Sequence, residues 1–134
     1  MRCRRYLRGH TGAVADPDSR RPRWVFGVGS EPDPRFTLAN ERTFLAWIRT
    51  SLALLAGGVA LEAIELPIAG PWRTAASILL IVIGIAAPVW AWVGWARSER
   101  AARTSTPLPA PTGSALLAAG VVLAGLVVLV GTLV

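Results

Sequence analysis

Two long runs without charge decide what this 134-residue chain can fold into. One covers residues 74–96, which number 23, and the other covers residues 114–134, which number 21. A helix rising about 1.5 Å per residue needs roughly 20 apolar residues to cross a hydrocarbon core of about 30 Å. Because the 53% hydrophobic content is concentrated in such blocks, the sequence predicts a membrane protein rather than a soluble domain.

The third apolar segment is shorter and is bounded by charge. Only 12 uncharged residues separate Arg49 from Glu62, and as helix they span about 18 Å, less than the thickness of the core. So short a run also fits a soluble hairpin helix, but two long neighbours with no soluble domain to pack on favour a membrane helix. Pro32 and Pro34 disfavour helix upstream, and Thr37 is a predicted cap. The predicted fold class is an all-α membrane protein with three transmembrane helices, over about residues 37–66, 73–97 and 113–134.

The orientation is predicted from the arginines, of which the chain has 14, with no lysine. The segment before Phe44 holds nine arginines against five acidic residues, and the second loop adds Arg97, Arg100 and Arg103, whereas the first outer loop has only Arg73. By the positive-inside rule the N-terminus and the second loop are predicted to be cytoplasmic and the C-terminus outside. Tryptophans suited to the two interfaces agree with this orientation: Trp90, Trp92 and Trp95 on the cytoplasmic side and Trp72 on the outer side.

Residues 1–34 differ in composition from the rest. The stretch MRCRRYLRGHTGAVADPDSRRPRW is rich in arginine and poor in aliphatic residues, so we predict a disordered basic cytoplasmic tail ahead of a three-helix membrane domain at residues 35–134. No apolar h-region follows the arginines, which argues against a secretory signal peptide. A tail lying against anionic lipid headgroups accounts for the charge. Nucleic-acid binding would need an aromatic or helical reader that the sequence lacks, so no nucleic-acid partner is expected.

Nothing in the sequence predicts catalysis. Cys3 is the single cysteine and His10 the single histidine, so neither a disulfide framework nor a histidine metal site with a recognisable spacing can be formed. The sequence contains no set of nucleophile, base and orienting residue, and no glycine loop suited to a phosphate. We therefore expect no enzyme, no cofactor and no metal.

The first helix carries its small residues and its arginines on the same face. At 100° per residue, Arg42 and Arg49 lie about 20° apart. Their face holds nearly all of the small residues, Ala46, Ala53, Ala56, Gly57 and Ala60, which we call the small-residue stripe. The opposite side holds large side chains: Phe44, Trp47, Leu54 and Leu55. Small residues on one face are typical of close helix packing in membranes, so Arg49 is predicted to face protein or water rather than lipid.

Two interpretations of Arg49 stay open. An arginine at the centre of a membrane helix costs about 2.5–3.5 kcal/mol to insert, and a side chain that snorkels to lipid phosphates reduces this cost and anchors the helix. Alternatively, Arg49 lines a polar cavity or pore, since intramembrane ionisable groups often mark ion or substrate paths. Glu41 lies two turns away on the same helix, so a partner on another helix or subunit is favoured.

The other two helices carry packing features of their own. The second contains Gly84 and Pro88, and the proline predicts a kink because it removes a backbone donor. The third carries small residues on one face: Ala115, Ala119, Gly120 and Ala124. Three short helices enclose too little volume for a permeation path, so any pore would require several copies or a partner.

The block ANERTFLAWIRTSLALLAGG at residues 39–58, followed by two further spans, resembles the YidH-like family of small bacterial inner-membrane proteins, a domain of unknown function. The resemblance covers the chain from about residue 32 onward and leaves the basic tail outside. It implies that the protein is integral to the bacterial inner (plasma) membrane.

The same block also resembles the three-helix membrane domain of the eukaryotic vacuolar transporter chaperone complex. In that complex the first helices of several subunits surround a pathway for polyphosphate. Arg35, Glu41 and Arg42 match its motif by position, and the segment Trp95 to Arg97 is similar to the basic exit of its second helix. This chain lacks a polymerase or phosphate-sensing domain, and Arg49 replaces a residue that is not basic there. The resemblance therefore implies membrane architecture and an anion-facing ring of arginines, but not polyphosphate synthesis.

Taken together, these features predict a small integral membrane protein that is a structural or accessory component of a homo-oligomeric or larger membrane assembly. One alternative is an oligomeric conduit for anions or polyphosphate, lined by arginines of the first helix. Another is a module that binds anionic lipid headgroups. Besides the bilayer, the expected partners are further copies or another membrane protein, and anionic headgroups or phosphate-type anions. The residues predicted to face an anion or headgroup are Arg35, Glu41, Arg42, Arg49 and Arg97.

Overall fold

The computed structural model describes residues 20–134, and this part of the chain is helical without strands. The helices are α1 (Arg23–Phe26), α2 (Pro34–Ala63), α3 (Gly70–Arg103) and α4 (Thr112–Leu133). The last three are each long and apolar enough to cross a membrane, which confirms the predicted fold class. The remainder of the predicted tail, with Cys3 and His10, lies outside the described residues.

Helix α2 begins and ends earlier than the sequence predicts. Pro34 occupies the first turn, where a missing N–H has no cost, and the carboxylate of Asp33 accepts a hydrogen bond of 2.8 Å from the Arg35 N–H. The cap is therefore Asp33, and the prediction of Thr37 as the cap is wrong. At the other end the backbone turns extended at Ile64, so the helix stops at Ala63 rather than near residue 66.

Helix α3 is longer than predicted at both ends. It begins at Gly70, with a proline in its first turn, and continues to Arg103. The prediction ended this helix at Arg97 because the charges there were assigned to a loop. Alanines favour the continuation, and so does an ion pair between Glu99 and Arg103, four residues apart. Helix α4 starts and ends within one residue of its predicted bounds.

Helix α3 lies at the centre of the arrangement. Helices α2 and α4 each pack along it and do not pack along each other. The buried face of α3 is built mainly from small residues: Ala76, Ser77, Gly84, Ala87, Ala91 and Ala96. Small side chains let neighbouring helices approach closely. In a membrane, helices associate through such close packing because lipid tails are as apolar as the side chains and no hydrophobic effect drives the helices together.

Hydrogen bonds between α2 and α3 keep a single antiparallel register. They join the Asn40 amide to the Trp95 carbonyl (3.1 Å), the Ser51 hydroxyl to the Gly84 carbonyl (2.5 Å) and the Ser77 hydroxyl to the Gly58 carbonyl (2.7 Å). Because each residue further along α2 lies level with one residue earlier on α3, this register places Arg49 at the level of Ala86.

The hydrogen bond from Ser51 satisfies a backbone carbonyl that Pro88 leaves without a donor. A proline has no N–H, so the carbonyl four residues earlier, that of Gly84, loses its helical donor. The Ser51 hydroxyl donates to this carbonyl from the neighbouring helix and is itself buried. Ser51 of α2 therefore compensates for the donor that Pro88 removes from α3. Serine side chains often satisfy backbone groups freed by proline in membrane helices.

Part of the segment predicted as tail packs on the membrane domain. Val25 in α1 is fully buried. The Ser30 N–H donates to the Arg103 carbonyl (3.0 Å), and the Arg100 guanidinium donates to the Trp24 carbonyl (3.3 Å). Residues 20–33 thus follow a defined path across the C-terminal end of α3.

Candidate functional site

Three arginines of α2 form a basic row on its outer surface. Arg35, Arg42 and Arg49 are all exposed, and they recur every seven residues, which places successive members about 10.5 Å apart along one face of the helix. Glu41 is exposed beside Arg42. We call Arg35, Arg42 and Arg49 the basic row.

Most of the small-residue stripe lies on this outer surface, and Gly57 borders α3, where a Cβ would be 3.8 Å from Leu80 Cδ1. Ala46, Ala53 and Ala56 are exposed, and Gly57 and Ala60 are partly covered. The opposite face makes the contact with α3, where Leu55 lies against Gly84 so closely that a Cβ on that glycine would be 2.9 Å from its Cγ. The packing role of the stripe therefore stays a prediction that concerns another copy or another protein.

Arg49 lies nearer the tryptophan-rich end of the membrane helices than their other end. The antiparallel register places it at the level of Ala86, and Trp90 lies four residues, or about 6 Å, further along α3. Trp72 lies about 21 Å away in the other direction. Because tryptophans collect at membrane interfaces, Arg49 lies about one turn inside the end marked by Trp90, Trp92 and Trp95, a distance over which an arginine side chain can snorkel.

A buried ion pair at the end of α3 is the feature that sequence reasoning missed. Glu99 is 0% exposed and Arg103 is 3% exposed. The Arg103 guanidinium donates to Glu99 Oε1 (3.2 Å) and to Glu31 Oε1 (3.5 Å), and the Thr37 hydroxyl donates to Glu99 Oε1 (3.4 Å). We call Glu31, Thr37, Glu99 and Arg103 the Glu99 cluster. It ties α2, α3 and the segment before α2 together.

The outer half of the Glu99 cluster is a second ion pair. Arg20 Nη1 donates to Glu31 Oε1 (2.9 Å), and the ring of Phe26 lies 5.2 Å from the Arg20 guanidinium and 4.8 Å from that of Arg103. The hydrogen bond from Arg20, helped by the charges of Arg20 and Arg103, lowers the pKa of the Glu31 carboxyl to about 2 from 4.5. The same hydrogen bond raises the pKa of Arg20.

The sequence did contain a signal for this cluster. Glu99 and Arg103 stand four residues apart, the spacing at which oppositely charged side chains meet on a helix. Assigning residues beyond Arg97 to a loop hides that spacing. The partners Glu31 and Thr37 are more than 60 residues away in sequence, so no local pattern could name them.

A cavity of about 230 Å³ opens between α2, α3 and the segment that leads into α4. Its walls include three indole rings, Trp47, Trp90 and Trp95, and Arg97 lies at its border. Trp95 is held in place by its neighbours, since it stacks on Trp92 at 5.1 Å and meets Phe26 at 6.2 Å between ring centroids. Arg97 is exposed, and it is the predicted site residue that borders this cavity.

The structure separates the predicted site residues into two places. The basic row and Glu41 lie on the outer face of α2, whereas Arg97 lies on α3 beside the tryptophan cavity. Across residues 20–134, histidine, cysteine, aspartate and glutamate form no group of three that could hold a metal ion.

These features define a class: a small α-helical membrane protein with three candidate transmembrane helices and a strongly basic end. The model for a domain of unknown function (DUF202) matches residues 35–101, half of the chain, across α2 and nearly all of α3. The chain therefore belongs to the DUF202 family, which confirms the YidH-like resemblance.

Two relatives illustrate the family. The chain is 45% identical over 101 residues to an uncharacterised protein of Mycobacterium tuberculosis (strain ATCC 25618 / H37Rv), an alignment that covers 74% of this chain and 82% of the relative. It is 43% identical over 83 residues to the inner membrane protein YidH of Escherichia coli (strain K12), covering 61% of this chain and 72% of YidH. No solved structure matches the chain significantly.

Proposed function

We propose that this protein is a non-catalytic structural or accessory component of a homo-oligomeric assembly in the bacterial inner membrane. The observation that carries the proposal is the position of Arg49, which is exposed on the outer face of α2 at the level of Ala86. An arginine facing lipid costs about 2.5–3.5 kcal/mol at the centre of a membrane helix on insertion scales, and part of this cost remains for Arg49 about one turn inside the level of Trp90. A neighbouring copy that covers this face would supply protein or water in place of acyl chains.

The small-residue stripe favours a second copy as that cover. Its alanines surround Arg49 and leave a shallow surface on which another helix can lie closely. Glu41 is exposed near the basic row, and Glu41 of one copy can pair with an arginine of the next. The inner-membrane location is taken from the relative YidH, which is an inner membrane protein.

The proposed orientation places the N-terminus in the cytoplasm. Arg100 and Arg103 at the end of α3 contact Trp24 and Glu31 of the N-terminal segment, so the arginine-rich parts of the chain share one end of the molecule. By the positive-inside rule this end belongs on the cytoplasmic side, with the C-terminus of α4 outside.

Disulfide cross-linking in membranes tests the assembly. In a Cys3→Ser background, Ala53→Cys places a thiol in the stripe, and Val122→Cys places one on α4 at nearly the same depth. Both native residues are exposed. We expect oxidant to produce cross-linked dimers from Ala53→Cys and few from Val122→Cys. Dimers from Val122→Cys alone, or from neither variant, would contradict assembly through α2.

A second candidate function is an anion conduit at the centre of the same assembly. The basic row favours it, because stacked rings of arginine select anions and phosphate, and the resemblance to the vacuolar transporter chaperone membrane domain suggests polyphosphate as one such anion. The test is anion flux into proteoliposomes, with Arg42→Ala and Arg49→Ala against Arg23→Ala as a control outside the row. The conduit would be excluded if the wild type showed no anion flux, or if neither substitution in the row changed the flux.

A further inference from the structure

The tryptophan cavity has a character suited to the interface of a membrane. Its aromatic walls, Trp47, Trp90 and Trp95, are accompanied by polar groups from Asn40 and Thr43. Indole rings favour the headgroup level because one end is apolar and the other can donate a hydrogen bond. At about 230 Å³ the cavity is smaller than the roughly 300–1,000 Å³ of sites for drug-sized ligands, so a headgroup fits it better than a whole lipid does.

Arg97 connects this cavity to a second surface. It borders the cavity and also one end of a shallow apolar groove, which lies on the exposed face of α3 alone. Within residues 20–134 it forms no salt bridge and no side-chain hydrogen bond. Its guanidinium is thus available for an anionic group at the point where the two spaces meet.

The groove has the dimensions of a lipid chain. It follows the exposed face of α3 from Val82 through Val89 and Val93 to Arg97, a stretch of sixteen residues that spans about 22 Å of helix. Trp90 and Val93 border both the groove and the cavity. One molecule could therefore occupy both, with a polar part in the cavity and an apolar part along α3.

We propose that this composite site binds one anionic phospholipid. The phosphate contacts Arg97 at the mouth of the tryptophan cavity, and an acyl chain lies along the groove toward Val82. Arginine suits this role because its planar guanidinium can donate two parallel hydrogen bonds to a phosphate. A free phosphate would leave the groove unexplained, and a neutral amphiphile would leave Arg97 unexplained.

This site is separate from the basic row and does not depend on it. The row lies on the outer face of α2, whereas Arg97 lies on α3. Failure of the oligomer proposal would therefore leave the lipid proposal standing, and the reverse also holds.

Two substitutions test the site by different means. Arg97→Gln removes the charge. Gly94→Leu fills the cavity, where a Cβ on Gly94 would meet no atom within 4 Å, so the new side chain enters open space rather than a packed contact. Gly125→Leu is the matched control, since Gly125 on α4 has equally open surroundings away from the cavity. Arg23→Gln controls for the loss of one positive charge.

The measurement is native mass spectrometry of the full-length protein titrated with phosphatidylglycerol, phosphatidylcholine or inorganic phosphate. We expect one preferred phosphatidylglycerol per protomer, bound roughly tenfold less tightly after Arg97→Gln and clearly less tightly after Gly94→Leu. Gly125→Leu and Arg23→Gln should bind it as the wild type does.

Three results would overturn the proposal. Equal binding of phosphatidylglycerol and phosphatidylcholine by the wild type would show that the site does not select lipids by their negative charge. Wild-type affinity in both Arg97→Gln and Gly94→Leu would place the lipid elsewhere. Displacement of phosphatidylglycerol by millimolar inorganic phosphate would assign the site to a free anion.

Discussion

At the scale of single residues, each buried polar side chain of residues 20–134 has a hydrogen-bond partner, although Glu99 Oε2 and Arg103 Nε are left without one. The Ser51 hydroxyl donates to the Gly84 carbonyl, which Pro88 leaves without a donor, and the Ser77 hydroxyl donates to the Gly58 carbonyl on the other helix. The Arg103 guanidinium donates a hydrogen bond to the Glu99 carboxylate. Unpaired polar groups in apolar surroundings are expensive, so the two serine bonds, which cross between the helices, fix the register of α2 on α3.

The pairing of Ser51 with Gly84 is testable by a double-mutant cycle. Ser51→Ala leaves a buried carbonyl without a donor and should destabilise the protein by about 1–2 kcal/mol. In a Pro88→Ala background residue 88 regains its N–H, so the same substitution should cost clearly less. Reversible unfolding in mixed detergent micelles gives the four stabilities. Additive effects of the two substitutions would contradict the pairing.

The Glu31 carboxyl gives a pH-dependent prediction. Its pKa is lowered to about 2 in the folded protein from 4.5, so its contribution to stability is present above pH 4.5 and is lost as pH falls toward 2. The difference in Tm between wild type and Glu31→Gln should therefore be largest near neutral pH and shrink below pH 4.5. A difference that stays constant down to pH 2 would show that the charge of Glu31 contributes nothing.

At the scale of elements, the C-terminal extension of α3 is what holds the N-terminal segment. Arg103 contacts Glu99, Glu31 and the ring of Phe26, and its carbonyl accepts the Ser30 N–H. The helix must continue past Arg97 for these contacts to form. The end of α3 is therefore a structural support for residues 20–33 as well as the end of a membrane span.

Removal of the Arg103 charge should release that segment. Arg103→Gln leaves Glu99 buried without its counter-charge, and breaking a buried pair costs about 3–5 kcal/mol. We expect tryptic cleavage after Arg23 to become much faster than in the wild type. Arg97→Gln, an exposed arginine on the same helix, is the control and should leave the cleavage rate unchanged. Equal rates in all three proteins would exclude the cluster as the support.

The elements differ in how far the sequence could predict them. Helices α3 and α4 were predicted because about 20 uncharged apolar residues have few alternatives. The cap at Asp33 and the end of α3 were missed because they depend on individual side chains, Asp33 and Arg103, rather than on average hydropathy. The helical angles of α2 separated two faces correctly, but they could not say which face meets α3, since both large and small residues pack in membranes.

At the scale of the whole molecule, one central helix supports two that do not pack along each other. This open arrangement leaves the tryptophan cavity between α2, α3 and the segment that leads into α4, and within residues 20–134 it leaves the outer face of α2, with the basic row, uncovered. The basic row and Arg97 were named from the sequence, but the tryptophan cavity beside Arg97 and the Glu99 cluster were not, because both depend on the register and rotation of the helices.

The most direct test of the central claim is a cryo-EM structure of the full-length protein in lipid nanodiscs. We predict a symmetric assembly in which α2 of each copy lies nearest the axis and Arg49 faces a neighbouring copy or water. A monomer, or an assembly in which Arg49 of every copy faces acyl chains, would contradict the proposal.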